Sequence, residues 1–149
     1  MRKNGLILGE MVYETGYVPV YFAEEKKYDL MLIDGKTIIL DESLLHNRSN
    51  GRLRFTCAHE IAHWILHKGL FLGTGQAAAF VNSKFSSQEL PAIERQANIL
   101  ATFLLMPTVQ VKKAFYAVQG TLDPVTPLSK LFEVSKQAMN IFLQEHNLT

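Results

Sequence analysis

Residues 52–68 read RLRFTCAHEIAHWILHK, and the fold turns on how this stretch is read. It predicts a helix from about Arg52 to Lys68. Ser49-Asn50 offers an N-cap, His67 and Lys68 suit the negative end, and Gly69 suits the position just beyond it. Inside it lies His59-Glu60-Ile61-Ala62-His63, with the HExxH spacing. Residues four apart share one helical face, so two imidazoles can converge there on one Zn²⁺. Glu60 follows the first histidine and points to the side where a reacting water would sit. A carboxylate there can take the water's proton and later return it to a leaving amine. The bland alternative is a solvated face that carries these residues by chance. Ile61, Ala62, Trp64, Ile65 and Leu66 argue against it, because they wrap the rest of the helix in apolar surface, as a buried active-site helix requires.

A catalytic zinc needs a third protein ligand and an open position for water. His67 continues the same face, but it lies ~12 Å from His59 along the axis, too far for one straight helix to supply all three. A metzincin pattern would need histidine at position 69, where Gly69 stands. Cys57 lies on the opposite face of the helix and reads as a small core residue. A second long helix is predicted over about 88–106, capped by Ser86 or Ser87 with Pro91 tolerated early. It carries ERQAN, in which Glu94 and Asn98 share a face. Glu94 there can ligate a metal, and Asn98 can accept from the far ring nitrogen of a histidine and fix its tautomer. Spacing alone serves equally well for an ordinary exposed glutamate favoured by the helix dipole, and Glu89 is a local rival.

Working outward, Tyr28 to Leu40 reads YDLMLIDGKTIIL, two β-rich runs around Asp34-Gly35, which predicts a hairpin. Tyr17 to Phe22 predicts a further strand, at an edge because of Pro19. Strands are thus expected over about 17–41, with residues 6–14 open between helix and strand. Residues 70–86 read as a loop, placed by connectivity at the rim of a cleft between the two long helices. Downstream, helices are expected over 108–147. The first runs from Thr108 to Val118 and is closed by Gly120; Pro124 and Pro127 punctuate a loop; two short helices follow, the last capped by Ser135. The expected fold is α+β, a small antiparallel sheet followed by a helical body in one domain over 1–149.

Composition narrows the class. The chain has 149 residues and a formal net charge of +1, with 48% apolar and 19% charged residues, which suits a folded domain with a real core. The near balance of charge argues against direct nucleic-acid binding, which depends on Lys and Arg meeting phosphates. The single cysteine excludes a disulfide framework within the chain and a multi-cysteine zinc ribbon, so a metal site must use histidine and carboxylate. Met1-Arg2-Lys3 resembles the start of a signal peptide, but Glu10 and Glu14 follow too soon for a secretory core. The longest uncharged run, Gln96 to Val111, is interrupted by Pro107 and is too short to cross a bilayer. A soluble, cytoplasmic protein with no membrane partner is expected.

RFTCAHEIAHWILH (Arg54 to His67), ERQANILATFLLMP (Glu94 to Pro107) and the tail LSKLFEVSKQAMNIFL (Leu128 to Leu143) together resemble the ImmA/IrrE-type metallopeptidases. The resemblance covers most of the chain. It implies a zinc-dependent protease with a gluzincin-like site, in which His59, His63 and Glu94 are the ligands and Glu60 is the general base. The family often has an acidic residue where Gln96 stands; that departure leaves the implied ligands untouched. The resemblance also implies a protein partner, a helix-turn-helix repressor that is cut or inactivated to switch on mobile-element or stress genes. No room is expected for a further domain before Thr149. Tyr13, Tyr116 and His67 are candidates for stabilising the oxyanion, each with packing as the plainer role.

Three rival readings remain open at the level of sequence. The chain can bind and sequester its repressor without cutting it. The C-terminal helices, with Lys136, Gln137 and Asn140, have the texture of a DNA-binding unit, although packing against the core explains them more simply. A deformylase-like hydrolase draws its third ligand from a cysteine, and Cys57 is misplaced for that. A His₂Glu site also suits Mn²⁺ or Fe²⁺.

Overall fold

The computed structural model describes residues 8–22, 24–46, 50–72, 89–118 and 120–148. Four strands come first: β1 (Gly9–Val12), β2 (Gly16–Phe22), β3 (Lys27–Ile33) and β4 (Thr37–Leu40). A single 3₁₀ turn, Glu42–Leu44, follows, with the Asp41 carboxylate accepting from Ser43 N–H. The described helices are α1 (Gly51–Phe71), α2 (Glu89–Leu105), α3 (Thr108–Ala117), α4 (Val125–Leu131) and α5 (Lys136–Glu145). The α+β class expected from the sequence is the one observed.

The strand pairing corrects the expected hairpin. Asp34-Gly35 does not turn β3 back onto β4. Instead β1 pairs antiparallel with β4, and β2 pairs antiparallel with β3. Gly9 faces Leu40, Val12 faces Thr37 and Gly16 faces Ile33. The register therefore carries straight through residues 13–15 on one side and 34–36 on the other. The four strands form one long two-stranded ribbon, interrupted in its middle. At the interruption Lys36 N–H donates to Val12 O at 2.8 Å and Gly35 N–H donates to the Thr15 hydroxyl at 3.2 Å. Gly35 is required there, since a Cβ would lie 2.9 Å from the Tyr13 carbonyl oxygen. The physical reason for the misreading is tertiary. A tight turn at Asp34-Gly35 would take β4 from β1, whose Met11 and Val12 are buried and whose backbone groups need partners. The first strand accordingly begins at Gly9, earlier than the 17–41 span expected.

Helix α1 also runs past its expected end. Gly69 lies within it, and the cap is Leu72. The reason is Phe71, which is buried with its ring centroid 4.8 Å from that of Tyr13. Burying a phenylalanine stabilises by about 1.5–3 kcal/mol, more than the roughly 1 kcal/mol cost of glycine within a helix. Asn50 makes no side-chain capping bond, and Ser49 lies outside the described residues, as do the expected caps Ser86 and Ser87 and most of the 70–86 loop. Pro127 falls within the first turn of α4 rather than in a loop, and Asp123 caps that turn by accepting from Thr126 N–H at 3.0 Å.

Two apolar clusters hold these elements. Met11, Tyr13, Phe71 and Ile93, with Ile38 and Trp64 against them, join the ribbon to α1 and α2. Met106, Val111, Phe115, Leu128, Met139, Phe142, Leu143 and Leu148 form the second, under α3 to α5. The helices α4 and α5 thus spend their apolar faces on packing, while Lys136, Gln137 and Asn140 stay exposed. Between α1 and α2 the contact is made close by small residues: Ala58 and Ala62 on one helix and Ala97 and Ala101 on the other are buried four residues apart. Among the described residues, no helix is long and apolar enough to cross a membrane.

Candidate metal centre

The close approach of α1 and α2 sets three side chains against each other. His59 Nε2 and His63 Nε2 are 2.9 Å apart. Glu94 reaches across from α2, with Oε2 3.2 Å from His59 Nε2 and Oε1 3.4 Å from His63 Nε2. The candidate ligand atoms lie within 4.8 Å of one another. In a tetrahedral zinc site with bonds of ~2.0–2.1 Å, ligand atoms sit about 3.3 Å apart, so the triangle has the dimensions such an ion requires. Two imidazoles and one carboxylate also make the donor set of an open catalytic site.

The far sides of the histidines fix which ring nitrogen is free. His59 Nδ1 lies 3.0 Å from Asn98 Oδ1. An amide oxygen only accepts, so Nδ1 carries the proton and Nε2 presents its lone pair to the triangle. This is the contact that the spacing of Glu94 and Asn98 led us to expect. On the other side, His63 Nδ1 lies 3.1 Å from His67 Nδ1, and His67 Nε2 lies 3.0 Å from Gln96 Oε1. His67 is therefore buried beside the centre as a neighbour of His63, while Gln96 reaches it from α2.

The charged groups of the triangle act strongly on one another. Hydrogen bonding to His59, and then to His63, holds the Glu94 carboxyl well below the usual carboxylate range despite partial burial. For His59, burial lowers the pKa, but Glu94, Glu60 and Asn98 together outweigh it and raise the pKa above the ordinary histidine value. Burial is the largest influence on Glu60 and pushes it up, with Glu94 adding to the rise; His59, His63 and a hydrogen bond from Met11 N–H pull the other way. A raised carboxylate pKa suits proton transfer near neutral pH.

Glu60 is held from the ribbon side. It is buried, and β1 lies so close that a Cβ on Gly9 would stand 2.5 Å from Thr56 Cγ2 and 3.2 Å from Glu60 Oε1. Neither Gly9 nor the Met11 amide was legible as part of the site, because a backbone approach leaves no side-chain pattern to read. Tyr13 is buried too, its ring 5.7 Å from that of Trp64, and burial followed by the charges of Glu60 and Glu94 drives its phenol pKa far up. Of the three oxyanion candidates, His67 is buried against His63, and Tyr13 is buried between Trp64 and Phe71. Tyr116 is 60% exposed on α3. Cys57 is a free, half-buried thiol whose pKa is raised, chiefly by burial. Glu89, the rival third ligand, begins α2 and is exposed.

A family model for a peptidase group, Peptidase_M78, described as the IrrE N-terminal-like domain, matches residues 21–144. The chain belongs to this family. The IrrE N-terminal-like match starts in β2 and ends in α5, so it takes in both helices of the centre. A search among curated proteins finds no match. Membership in the IrrE N-terminal-like family supports a metallopeptidase-like function, and the cluster of His59, His63 and Glu94 is able to hold a metal ion.

Proposed function

We propose that the chain is a cytoplasmic, zinc-dependent endopeptidase that cuts a helix-turn-helix repressor and so releases mobile-element or stress genes. The observation that carries the peptidase reading is the convergence of His59 Nε2, His63 Nε2 and Glu94 beside a buried Glu60. The donor set supports zinc. The repressor as substrate is supported by the likeness of the two long helices and the tail to the ImmA/IrrE-type enzymes.

In this reading His59, His63 and Glu94 hold the ion, and Asn98 keeps His59 in the ligating tautomer. Zinc bound there supplies Lewis acidity and brings the pKa of water toward neutrality. Glu60 takes the proton of the attacking water and delivers it to the leaving amine nitrogen. Its burial, and the Met11 N–H that it accepts, keep the carboxyl in place for both transfers. Burial, and then the charges of Glu60 and Glu94, push the Tyr13 phenol pKa far up, and the phenol is the group assigned to donate to the oxygen of the attacked carbonyl.

The test is to incubate the protein with zinc and the repressor encoded beside it, for wild type and Glu60→Gln. Cleavage by wild type alone is expected. Equal cleavage by both removes Glu60 from the role of base. Recovery of intact repressor bound to wild type favours sequestration without cutting.

A further inference from the structure

His63 is not free on the side away from Glu94. Its Nδ1 meets His67 Nδ1 at 3.1 Å, and His67 Nε2 meets Gln96 Oε1 at 3.0 Å. The Gln96 oxygen only accepts, so His67 carries its proton on Nε2. A neutral imidazole has one donor and one acceptor, so His67 Nδ1 is then a lone pair. It takes its hydrogen bond from an N–H at His63 Nδ1. That leaves His63 Nε2 bare, and this is the atom 3.4 Å from Glu94 Oε1 and 2.9 Å from His59 Nε2.

We propose that Gln96 and His67 form an orienting relay that fixes His63 in the tautomer able to ligate a metal. Both are positioning residues, and the proposal rests on reading His59, His63 and Glu94 as the metal centre. The opposite polarity has the Gln96 amide nitrogen donating to His67 Nε2 and His67 Nδ1–H donating to His63. It puts a proton on His63 Nε2, aimed into the ligand triangle, and so opposes a cation there. Burial makes the relay decisive. His67 is 3% exposed and His63 is 7% exposed, so bulk water does not substitute for either partner. The two histidines are thus served differently: the amide of Asn98 orients His59 directly, whereas the amide of Gln96 orients His63 through a second imidazole. A carboxylate at position 96 keeps the same polarity, since it also only accepts.

The test uses the full chain, stripped of metal and titrated with zinc against a chromophoric chelator, together with ¹⁵N spectra of the histidine rings in the zinc-loaded protein. His67→Phe is expected to weaken zinc binding by roughly 10–100-fold, the usual range for losing a partner of a ligating histidine. Gln96→Met weakens it less, and Gln96→Glu restores wild-type affinity or better. In wild type, His63 carries its proton on Nδ1 and His67 on Nε2. Unchanged affinity in both His67→Phe and Gln96→Met, or a proton on His67 Nδ1, overturns the relay. Should His67→Phe fail to fold, the Gln96 pair decides, because that side chain is exposed on α2. His63→Ala separates the two claims: wild-type zinc affinity in that variant sinks the metal centre itself, whereas its loss leaves only the relay at issue.

Discussion

His59 Nδ1 and Asn98 Oδ1 stand 3.0 Å apart, a contact that joins the HExxH run on α1 to the Glu94 helix, α2. It gives His59 its tautomer without an intermediary. Asn98→Ala is expected to lower zinc affinity roughly 10–100-fold while leaving the far-UV circular dichroism unchanged. Asn98→Asp, which still accepts, is expected to retain most of the affinity. Chelator competition measures both. Equal losses in the two variants would show that the contact does not act by accepting the His59 proton.

Glu94 brings the only carboxylate of the triangle, with oxygens 3.2 Å from His59 Nε2 and 3.4 Å from His63 Nε2. Excess zinc is expected to raise the melting temperature of the wild type, and chelator to reverse the rise. At a free concentration 100-fold above the dissociation constant the stabilisation is about 2.7 kcal/mol. Glu94→Gln keeps the size of the side chain but removes its charge, so the zinc-induced shift should shrink markedly. An equal shift in both proteins would mean that zinc is held elsewhere.

Gly9 lets β1 lie against α1. A methyl group there would meet Thr56 Cγ2 at 2.5 Å, with Glu60 Cγ at 3.1 Å. Gly9→Ala is expected to destabilise the protein by about 1–3 kcal/mol, as overpacking does, read from the midpoint of urea unfolding. Adding Thr56→Ser removes the nearest atom and should recover a good part of the loss. A stable Gly9→Ala single variant would show that this approach is not what seats the strand over Glu60.

What the sequence revealed and what it concealed divide along physical lines. The HExxH helix and the Glu94–Asn98 face were legible because both rest on the helical period, a property of one element. The link from Gln96 to His67 was not, since it depends on how α1 and α2 meet. The ribbon was misread because Asp34-Gly35 is a strong local turn signal, and the competing signal, the need of β1 for a partner, lies more than twenty residues away. Gly69 was misread for a similar reason: the helix continues to bury Phe71.

Gly69 sits within α1, and a Cβ there would meet nothing within 4 Å. Gly69→Ala therefore keeps every contact while removing conformational freedom from the unfolded chain. It is expected to stabilise by about 0.5–1 kcal/mol, seen as a higher urea midpoint at unchanged slope. A destabilised variant would place a real helix end at Gly69, as its sequence context first indicated.

Tyr13 allows packing and chemistry to be separated. Its ring lies against Trp64 and Phe71, and Tyr13→Phe leaves those contacts in place. Its phenol pKa is pushed far up, first by burial and then by the nearby charges of Glu60 and Glu94. If the phenol donates to the oxygen of the attacked carbonyl, Tyr13→Phe should lower kcat by roughly 10²–10³-fold, the scale seen when one such donor is lost. KM and zinc affinity should change little, because the hydroxyl is not part of the ligand triangle. Tyr116→Phe, on the exposed side of α3, serves as the control and should leave kcat unchanged. A Tyr13→Phe enzyme with full kcat would assign Tyr13 to the core alone.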